Sequence, residues 1–300
     1  MPRPHIEPFD ERIMDYKRMT LPGFGKGMHY KVLSMDIDSG ACSLKVKFEG
    51  GYKLPPGMSY SELEMFIVSG SITYGDTNYG EGYYFLIPPG VSMPAMKVSQ
   101  GAVVIMFYNY GEPSFVASDE DHPLAERYRL SIINSTEDIN WMPGNRIVPS
   151  VASGCMLKLL KYDLHTEAHT FLFCMTPGFQ QDNISYHDCC EEVYHIWGTS
   201  WMMQFGDVPT GGYFWRPPYI NHGAFYSKHG IIAIGRTDAH LHNYFHFNPW
   251  TSPKENADRA AARFRRMKPA LYKWVRAPEG HNHFVDFEYP HYHDHDHDHD

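Results

Sequence analysis

Residues 192–198 read Glu-Val-Tyr-His-Ile-Trp-Gly, and residues 64–70 read Glu-Met-Phe-Ile-Val-Ser-Gly. The two segments begin with Glu, end with Gly and start 128 residues apart (192 − 64). Other segments recur in the same order at nearly the same spacing: residues 31–37 with 158–164, 88–93 with 217–222, and 101–105 with 230–234. A repeat of this period indicates two copies of one structural unit.

Each copy consists of short runs rich in β-branched and aromatic residues. In the first copy these runs are Ala41–Phe48, Leu63–Val68, Tyr83–Ile87 and Val103–Tyr108, with Gly, Pro, Asn and Asp between them. Such runs are typical of antiparallel strands joined by tight turns, in a sandwich or small barrel. We therefore predict an all-β protein with two tandem units, each a sandwich or a small barrel, in residues 1–125 and 126–250.

The composition is that of a folded protein without a membrane or nucleic-acid partner. Hydrophobic residues make up 43% of the 300 residues, and charged residues 20%. The formal net charge is −9, and the sequence has neither a basic stripe nor an apolar run of about 18 residues. Five cysteines without framework spacing favour reduced thiols. We expect a cytoplasmic protein that binds a small molecule.

Residues 251–300 differ in character from the two copies. Ser252, Pro253 and Glu255 form a helix-start signature, which predicts a helix that continues to Lys268 and ends at Pro269. From residue 291 onward the sequence alternates His and Asp, and we expect this tail to be disordered.

The second copy carries three potential metal ligands that the first copy lacks. His187 and Glu191 flank a tight connection into a strand, and His222 follows the next Pro-Pro turn. Two imidazoles and a carboxylate, with positions left open, suit divalent iron, manganese, nickel or zinc. The matching positions of the first copy hold Ser59, Leu63 or Glu64, and Met93.

These residues resemble the motifs of the cupin superfamily. His187, Glu191 and Gly198 fit the intervals of its first motif, and Gly211, Pro217 and His222 fit those of its second, although Tyr219 stands where Gly is preferred. The resemblance extends over both copies. It implies a bicupin of two double-stranded β-helix barrels, often oligomeric, whose first barrel has lost its metal.

The sequence departs from the family pattern at one ligand, since Ser185 stands where a further His is usual. The candidates for a fourth ligand are Gln204, His195, Glu192 and water. The family spacing and strand alternation direct Glu191 inward and Glu192 outward, but a bulge would reverse the two.

Further side chains of the second copy are candidates for contact with a substrate. We assign substrate binding to His195, Trp201, Trp215 and Arg216, with core packing and salt bridges as the alternative roles. Tyr226 and His229 follow His222 and are candidate proton donors or acceptors.

The resemblance implies a metal enzyme, and the superfamily includes dioxygenases, isomerases, lyases and decarboxylases. Our hypothesis is Fe(II)-dependent oxygenative cleavage of a small aromatic or dicarbonyl compound. The alternatives are a non-redox isomerase, lyase or hydrolase, and a non-catalytic small-molecule binding protein.

Overall fold

The computed structural model describes residues 3–148 and 151–246, together with residues 262, 265–266 and 269–270. All five of these residues are helical, and the prediction of a helix up to Lys268 agrees with residues 262 and 265–266. Pro269 is itself helical, so the prediction that it ends the helix is wrong; a proline disfavours a helix without forbidding it. The predicted cap and the His-Asp tail lie outside the described residues. Among the described residues, no helix is long and apolar enough to cross a membrane.

The chain forms two compact units, and their boundaries follow strand pairing. One unit is Glu11–Asn140, and the other combines the chain up to Asp10 with the chain from Trp141 onward. The sequence placed the first boundary at residue 125. It lies later because Ser131–Asn134 pairs with Tyr83–Ile87 of the first unit, whereas Ile6–Asp10 pairs with Gly212–Arg216 of the second.

The strands are numbered in chain order. The first is β1 (Ile6–Asp10), which belongs to the second unit. The first unit contains β2 (Lys17–Arg18), β3 (Met28–Met35), β4 (Cys42–Phe48), β5 (Tyr52–Leu54), β6 (Gly57–Met58), β7 (Glu62–Gly70), β8 (Ile72–Tyr74), β9 (Thr77–Tyr79), β10 (Tyr83–Ile87), β11 (Met96–Val98), β12 (Ala102–Asn109), β13 (Val116–Ala117) and β14 (Ser131–Asn134).

The second unit continues with β15 (Met142–Pro143), β16 (Cys155–Tyr162), β17 (His169–Met175), β18 (Phe179–His187), β19 (Glu191–Gly198), β20 (Ser200–Met202), β21 (Gly206–Val208), β22 (Gly212–Arg216), β23 (His222–Ser227), β24 (Ile231–Thr237) and β25 (Asn243–His246). Three short 3₁₀ helices are described, at Glu11–Ile13, Arg127–Arg129 and Gly144–Arg146.

The sheets confirm that the two units are copies of one barrel. The large sheet of the first unit has the order β14-β10-β7-β12-β4-β3-β2, and that of the second has the order β1-β22-β19-β24-β17-β16-β15. The five central strands correspond one to one, and only the edge strands differ in origin. A smaller sheet, β21-β20-β23-β18-β25, belongs to the second barrel, and β5-β11-β8-β9 belongs to the first.

The interior of the first barrel is mostly occupied by its own apolar side chains, which leave a smaller cavity of about 60 Å³. A core of about twenty buried hydrophobic residues runs through it, including the fully enclosed Val46, Ile67, Phe85 and Val104. The equivalent volume of the second barrel is divided among smaller clusters, such as Val193, Met202, Val208, Phe214 and Ala233.

The repeated glycine at the end of β7 and β19 has the same structural reason in both barrels. Gly70 and Gly198 have φ angles of +78° and +87°. A Cβ at either position would lie 2.2 Å from a backbone oxygen, that of Gly101 or Gly230. Contact with backbone cannot be relieved by a side-chain rotation, so glycine is required there.

We predict that Gly198→Ala destabilises the second barrel more than Gly178→Ala. Gly178 has a similar φ of +81° but no atom within 4 Å of its added Cβ, so it serves as the matched control. The control should lose about 1–2 kcal/mol from left-handed strain alone, and Gly198→Ala roughly 1–3 kcal/mol more from the clash. Urea unfolding of both variants measures the difference, and equal losses would contradict the clash.

Candidate metal site

Three strand ends bring His187, Glu191 and His222 together. His187 is the last residue of β18 and Glu191 is the first of β19, so a three-residue connection joins them. His222 is the first residue of β23, which pairs with β18 and places His222 opposite Ser185. One ligand atom of each of the three residues lies within 4.8 Å of the other two.

The three side chains converge on one carboxylate oxygen. Oε2 of Glu191 lies 3.4 Å from Nε2 of His187 and 3.7 Å from Nε2 of His222. All three residues are largely shielded from solvent, and the two imidazole rings have centroids 4.7 Å apart. Oε2 of Glu191 is buried without a hydrogen-bond partner. A buried, unpartnered carboxylate oxygen is costly unless a cation neutralises it.

Backbone carbonyl groups orient both imidazoles. Nδ1 of His187 donates to the backbone oxygen of His242 at 3.2 Å, and Nδ1 of His222 donates to that of Ile220 at 3.2 Å. A carbonyl can only accept, so Nδ1 of each ring carries a proton. Nε2 of each ring is therefore the atom that faces Glu191, and the Nδ1 contacts resemble the outer hydrogen bonds of metal-binding histidines.

The protonation states also suit a cation. Burial raises the pKa of Glu191, but the neighbouring His187, His222 and Arg216 outweigh it and lower that pKa to about 2. Burial, followed by the charges of His187 and Arg216, lowers the pKa of His222 to about 3. At neutral pH the site thus offers a carboxylate and an uncharged imidazole without prior loss of a proton.

The adjacent Glu191 and Glu192 lie on opposite faces of β19, as alternation predicted. Glu192 accepts hydrogen bonds from Arg236 at 2.6 Å and from Tyr213 at 2.7 Å, and Arg3 lies at 3.4 Å. These contacts exclude Glu192 as the fourth ligand. The bulge in β19 falls between His195 and Trp197, beyond the site, and leaves Glu191 inward.

An apolar cavity of about 110 Å³ opens beside the three residues. Its walls are mainly aromatic and aliphatic: Leu157, Phe171, Phe173, Met175, Phe179, Val193, Met202, Phe214 and Phe225. His195 lines it, as expected from its shared face with Glu191. Nδ1 of His195 donates to the backbone oxygen of Val208 at 3.0 Å, and burial lowers the pKa of His195 to about 4.

Several predicted pocket residues do not line this cavity. Met202 and Phe225 line it, so alternation turns their neighbours Trp201 and Tyr226 to the other face, where they are 39% and 41% exposed. His229 is exposed in the turn after β23. The structure therefore does not support Trp201 as a substrate contact, nor Tyr226 and His229 as proton donors or acceptors.

Trp215 and Gln204 also lie away from the cavity. Trp215 is fully buried but pairs with Glu192, and therefore faces the outer side of the sheet. Gln204 lies in the turn between β20 and β21 and is absent from the cavity wall, although both its amide atoms are buried without a partner. The structure therefore supports neither substrate binding by Trp215 nor metal ligation by Gln204.

Arg216 is next to the site rather than in the cavity wall. It pairs with Glu191 across β22 and β19, and its Nη2 donates to Glu7 at 2.8 Å. Its guanidinium lies over the rings of Phe214 and Phe205, at 4.8 and 5.3 Å from the centroids. A salt bridge, the alternative role given for Arg216, is present, and its partner is Glu7 of β1.

The sequence interpretation missed His169, the first residue of β17. His169 is buried and lines the cavity. Its counterpart in the first barrel is Cys42, because Tyr162 pairs with His169 as Met35 pairs with Cys42. The same comparison of copies that singled out His187 and His222 would have identified His169.

A family model described as a domain of unknown function, DUF4437, matches residues 15–244. The chain belongs to the DUF4437 family. No curated protein matches the sequence.

Solved structures share the fold of this chain, which agrees with the fold that the resemblance implied. A candidate dioxygenase from Nostoc punctiforme is 20% identical, with a TM-score of 0.72 over 80% of this chain and 84% of that chain. A candidate glyoxylate-induced protein from Pseudomonas aeruginosa is 16% identical, with a TM-score of 0.61 over 81% and 92%. A variant of oxalate decarboxylase from Bacillus subtilis is 12% identical, with a TM-score of 0.53 over 81% and 79%.

We predict that the DUF4437 protein loses stability as the pH falls below about 6.5. The pKa of His195 is about 4 in the folded protein and ordinary, about 6.5, in the unfolded chain. Between these values the unfolded chain binds more protons, so the free energy of unfolding falls by up to about 1.4 kcal/mol per pH unit.

Urea unfolding between pH 5 and 7 measures this slope. His195→Gln removes one titrating group and should flatten the slope, whatever its effect on stability at pH 7. An unchanged slope in this variant would show that His195 is not a buried neutral imidazole.

Proposed function

We propose that the second barrel binds one divalent metal ion through Nε2 of His187, the carboxylate of Glu191 and Nε2 of His222. The observation that carries this proposal is the buried, unpartnered Oε2 of Glu191, with two oriented imidazole nitrogens at 3.4 and 3.7 Å. The donor set fits a small cation, because one oxygen and two nitrogen ligands are borderline in softness. Such an ion, when bound, supplies Lewis acidity and, if it is iron, one-electron chemistry.

Fe(II) is the ion that this ligand set favours. Two histidines and one carboxylate with open positions are typical of non-haem Fe(II) oxygenases. Ser185, which is buried opposite His222, stands where a third imidazole would otherwise complete a more crowded site. Mn(II), Ni(II) and Zn(II) are competitors, since two histidines and a glutamate also hold zinc.

The proposed reaction is oxygenative cleavage of a small aromatic or dicarbonyl compound. The aromatic cavity wall beside the ligands suits a compact apolar body, and Val193 and Phe214 exclude water around it. The chain's own contribution is to bind and orient this compound against the three ligands. The attribution of dioxygenase activity to the Nostoc protein, whose fold is the same, is consistent with this choice.

We predict that His187→Ala and His222→Ala each abolish stoichiometric metal binding. Losing an outer hydrogen bond of a ligand costs roughly 10–100-fold in affinity, and losing the ligand itself should cost more. Elemental analysis after dialysis measures the bound metal. Residues 291–300 should be removed first, because alternating His and Asp bind transition ions themselves.

His229→Ala is the matched control. His229 is an exposed histidine of the same barrel, so this variant should retain one ion per chain. Stoichiometric metal in the His187 and His222 variants would contradict the proposed site. Absence of metal from the parent protein after Fe(II) loading would favour the non-catalytic binding protein.

We predict that the Fe(II)-loaded protein consumes O₂ with a catechol or a 1,3-diketone, and that the Zn(II)-loaded protein does not. The physical reason is that zinc has no accessible second oxidation state. An oxygen electrode measures uptake, and His222→Ala should reduce it to the background rate. Turnover of the same compounds by the zinc form without O₂ would identify the non-redox alternative instead.

A further inference from the structure

One row of side chains inside the second barrel is polar, whereas the same row of the first barrel is apolar. Direct pairing across β22, β19, β24 and β17 aligns Arg216, Glu191, Thr237 and His169. Residues opposite each other in antiparallel strands share a face, so the four side chains face the same interior. In the first barrel the corresponding row consists of Ile87, Leu63, Tyr108 and Cys42, all within the core.

Glu191 is a candidate ligand, Arg216 lies next to the site, and Thr237 donates its hydroxyl to the backbone oxygen of Ala239. His169 is the member of the row without an assigned role. Its ring is 3% exposed and lines the cavity two strands away from Glu191, or roughly 10 Å between Cα atoms. The backbone that carries it is the same in both barrels. The turn before it has a positive φ at Glu167, as the equivalent turn of the first barrel has at Gly40.

The hydrogen bonds of His169 fix its tautomer. Nδ1 lies 3.0 Å from the backbone oxygen of Glu167, which can only accept, so Nδ1 carries the proton. The hydroxyl of Thr237, 3.2 Å from Nδ1, donates to the backbone oxygen of Ala239 and is a further acceptor for that proton. Nε2 is therefore an unprotonated acceptor.

Nε2 of His169 is buried and has no hydrogen-bond partner. Burial lowers the pKa of this ring, so the lone pair remains available at neutral pH. An unsatisfied acceptor inside an apolar cavity is costly, and a donor from a bound molecule would remove that cost.

We propose that Nε2 of His169 accepts a hydrogen bond from a hydroxyl donor of the molecule bound in this cavity. The ligand class is then a compact aromatic compound with a phenolic or enolic hydroxyl in addition to the group held at His187, Glu191 and His222. This assignment deepens the proposed function and rests on it for the position of the substrate. Its test does not require metal.

The cavity has the scale of a single ring. Its volume of about 110 Å³ is somewhat below that of an engineered apolar cavity of roughly 150 Å³ that admits benzene. Phenol and anisole are therefore suitable probes: both present one aromatic ring, and only phenol can donate a hydrogen bond.

The experiment is calorimetric titration of the full-length protein with phenol and with anisole, without metal and with Zn²⁺. We expect phenol to bind roughly three- to tenfold more tightly than anisole, because the free energy of one buried hydrogen bond corresponds to an affinity ratio of this size. His169→Phe should abolish this preference, whereas His169→Gln, whose amide oxygen can accept, should retain part of it. His195→Phe removes the other cavity imidazole outside the metal site and should leave the preference intact.

Three results would overturn the proposal: equal binding of the two probes, no binding of either, or a preference that survives in His169→Phe. Loss of the preference in His195→Phe alone would overturn it in the same way. If His169→Phe does not fold, ¹⁵N NMR of the parent protein replaces it. The Nε2 resonance of His169 should then move with phenol and not with anisole, and an unmoved resonance counts against the proposal. Failure of Zn²⁺ to bind to the protein that lacks residues 291–300 would overturn the metal site only.

Discussion

The arrangement of the second barrel depends on the contacts of one buried carboxylate, that of Glu192. Arg236, Tyr213 and Arg3 surround it, and a buried charge of this kind is tolerated only when it is paired and hydrogen-bonded. A shift of β19 by one residue would exchange its two faces and move Glu192 away from these partners. The contacts of Glu192 on the outer face thus hold Glu191 on the inner one.

The first barrel contains an equivalent buried glutamate but lacks the candidate metal ligands. Glu64 accepts hydrogen bonds from Tyr84 at 2.6 Å and from Asn109 at 2.8 Å. The tyrosine–glutamate pair is therefore part of the shared framework of both copies. What distinguishes them is the interior, where the first copy packs apolar side chains and the second keeps polar groups beside a cavity. The same backbone arrangement therefore supports an apolar core in one copy and a candidate site in the other.

The beginning of the chain contributes charges to this site. β1 adds to the sheet edge beside β22, and Glu7 on it is paired with the buried Arg216. Arg216 in turn lowers the pKa of Glu191 and of His222. A salt bridge formed by the first ten residues is thereby coupled to the electrostatics of the three candidate ligands, although it touches none of them.

The sequence by itself determined the duplicated all-β fold, because repeated patterns and turn residues act locally. It also identified His187, Glu191 and His222 as candidate metal ligands, because the first copy lacks them and serves as an internal reference. Only the tertiary structure decided which side chains line the cavity. Trp201 faces outward and His169 inward because each depends on pairing between strands distant in the sequence, and no local pattern records which face a partner strand covers.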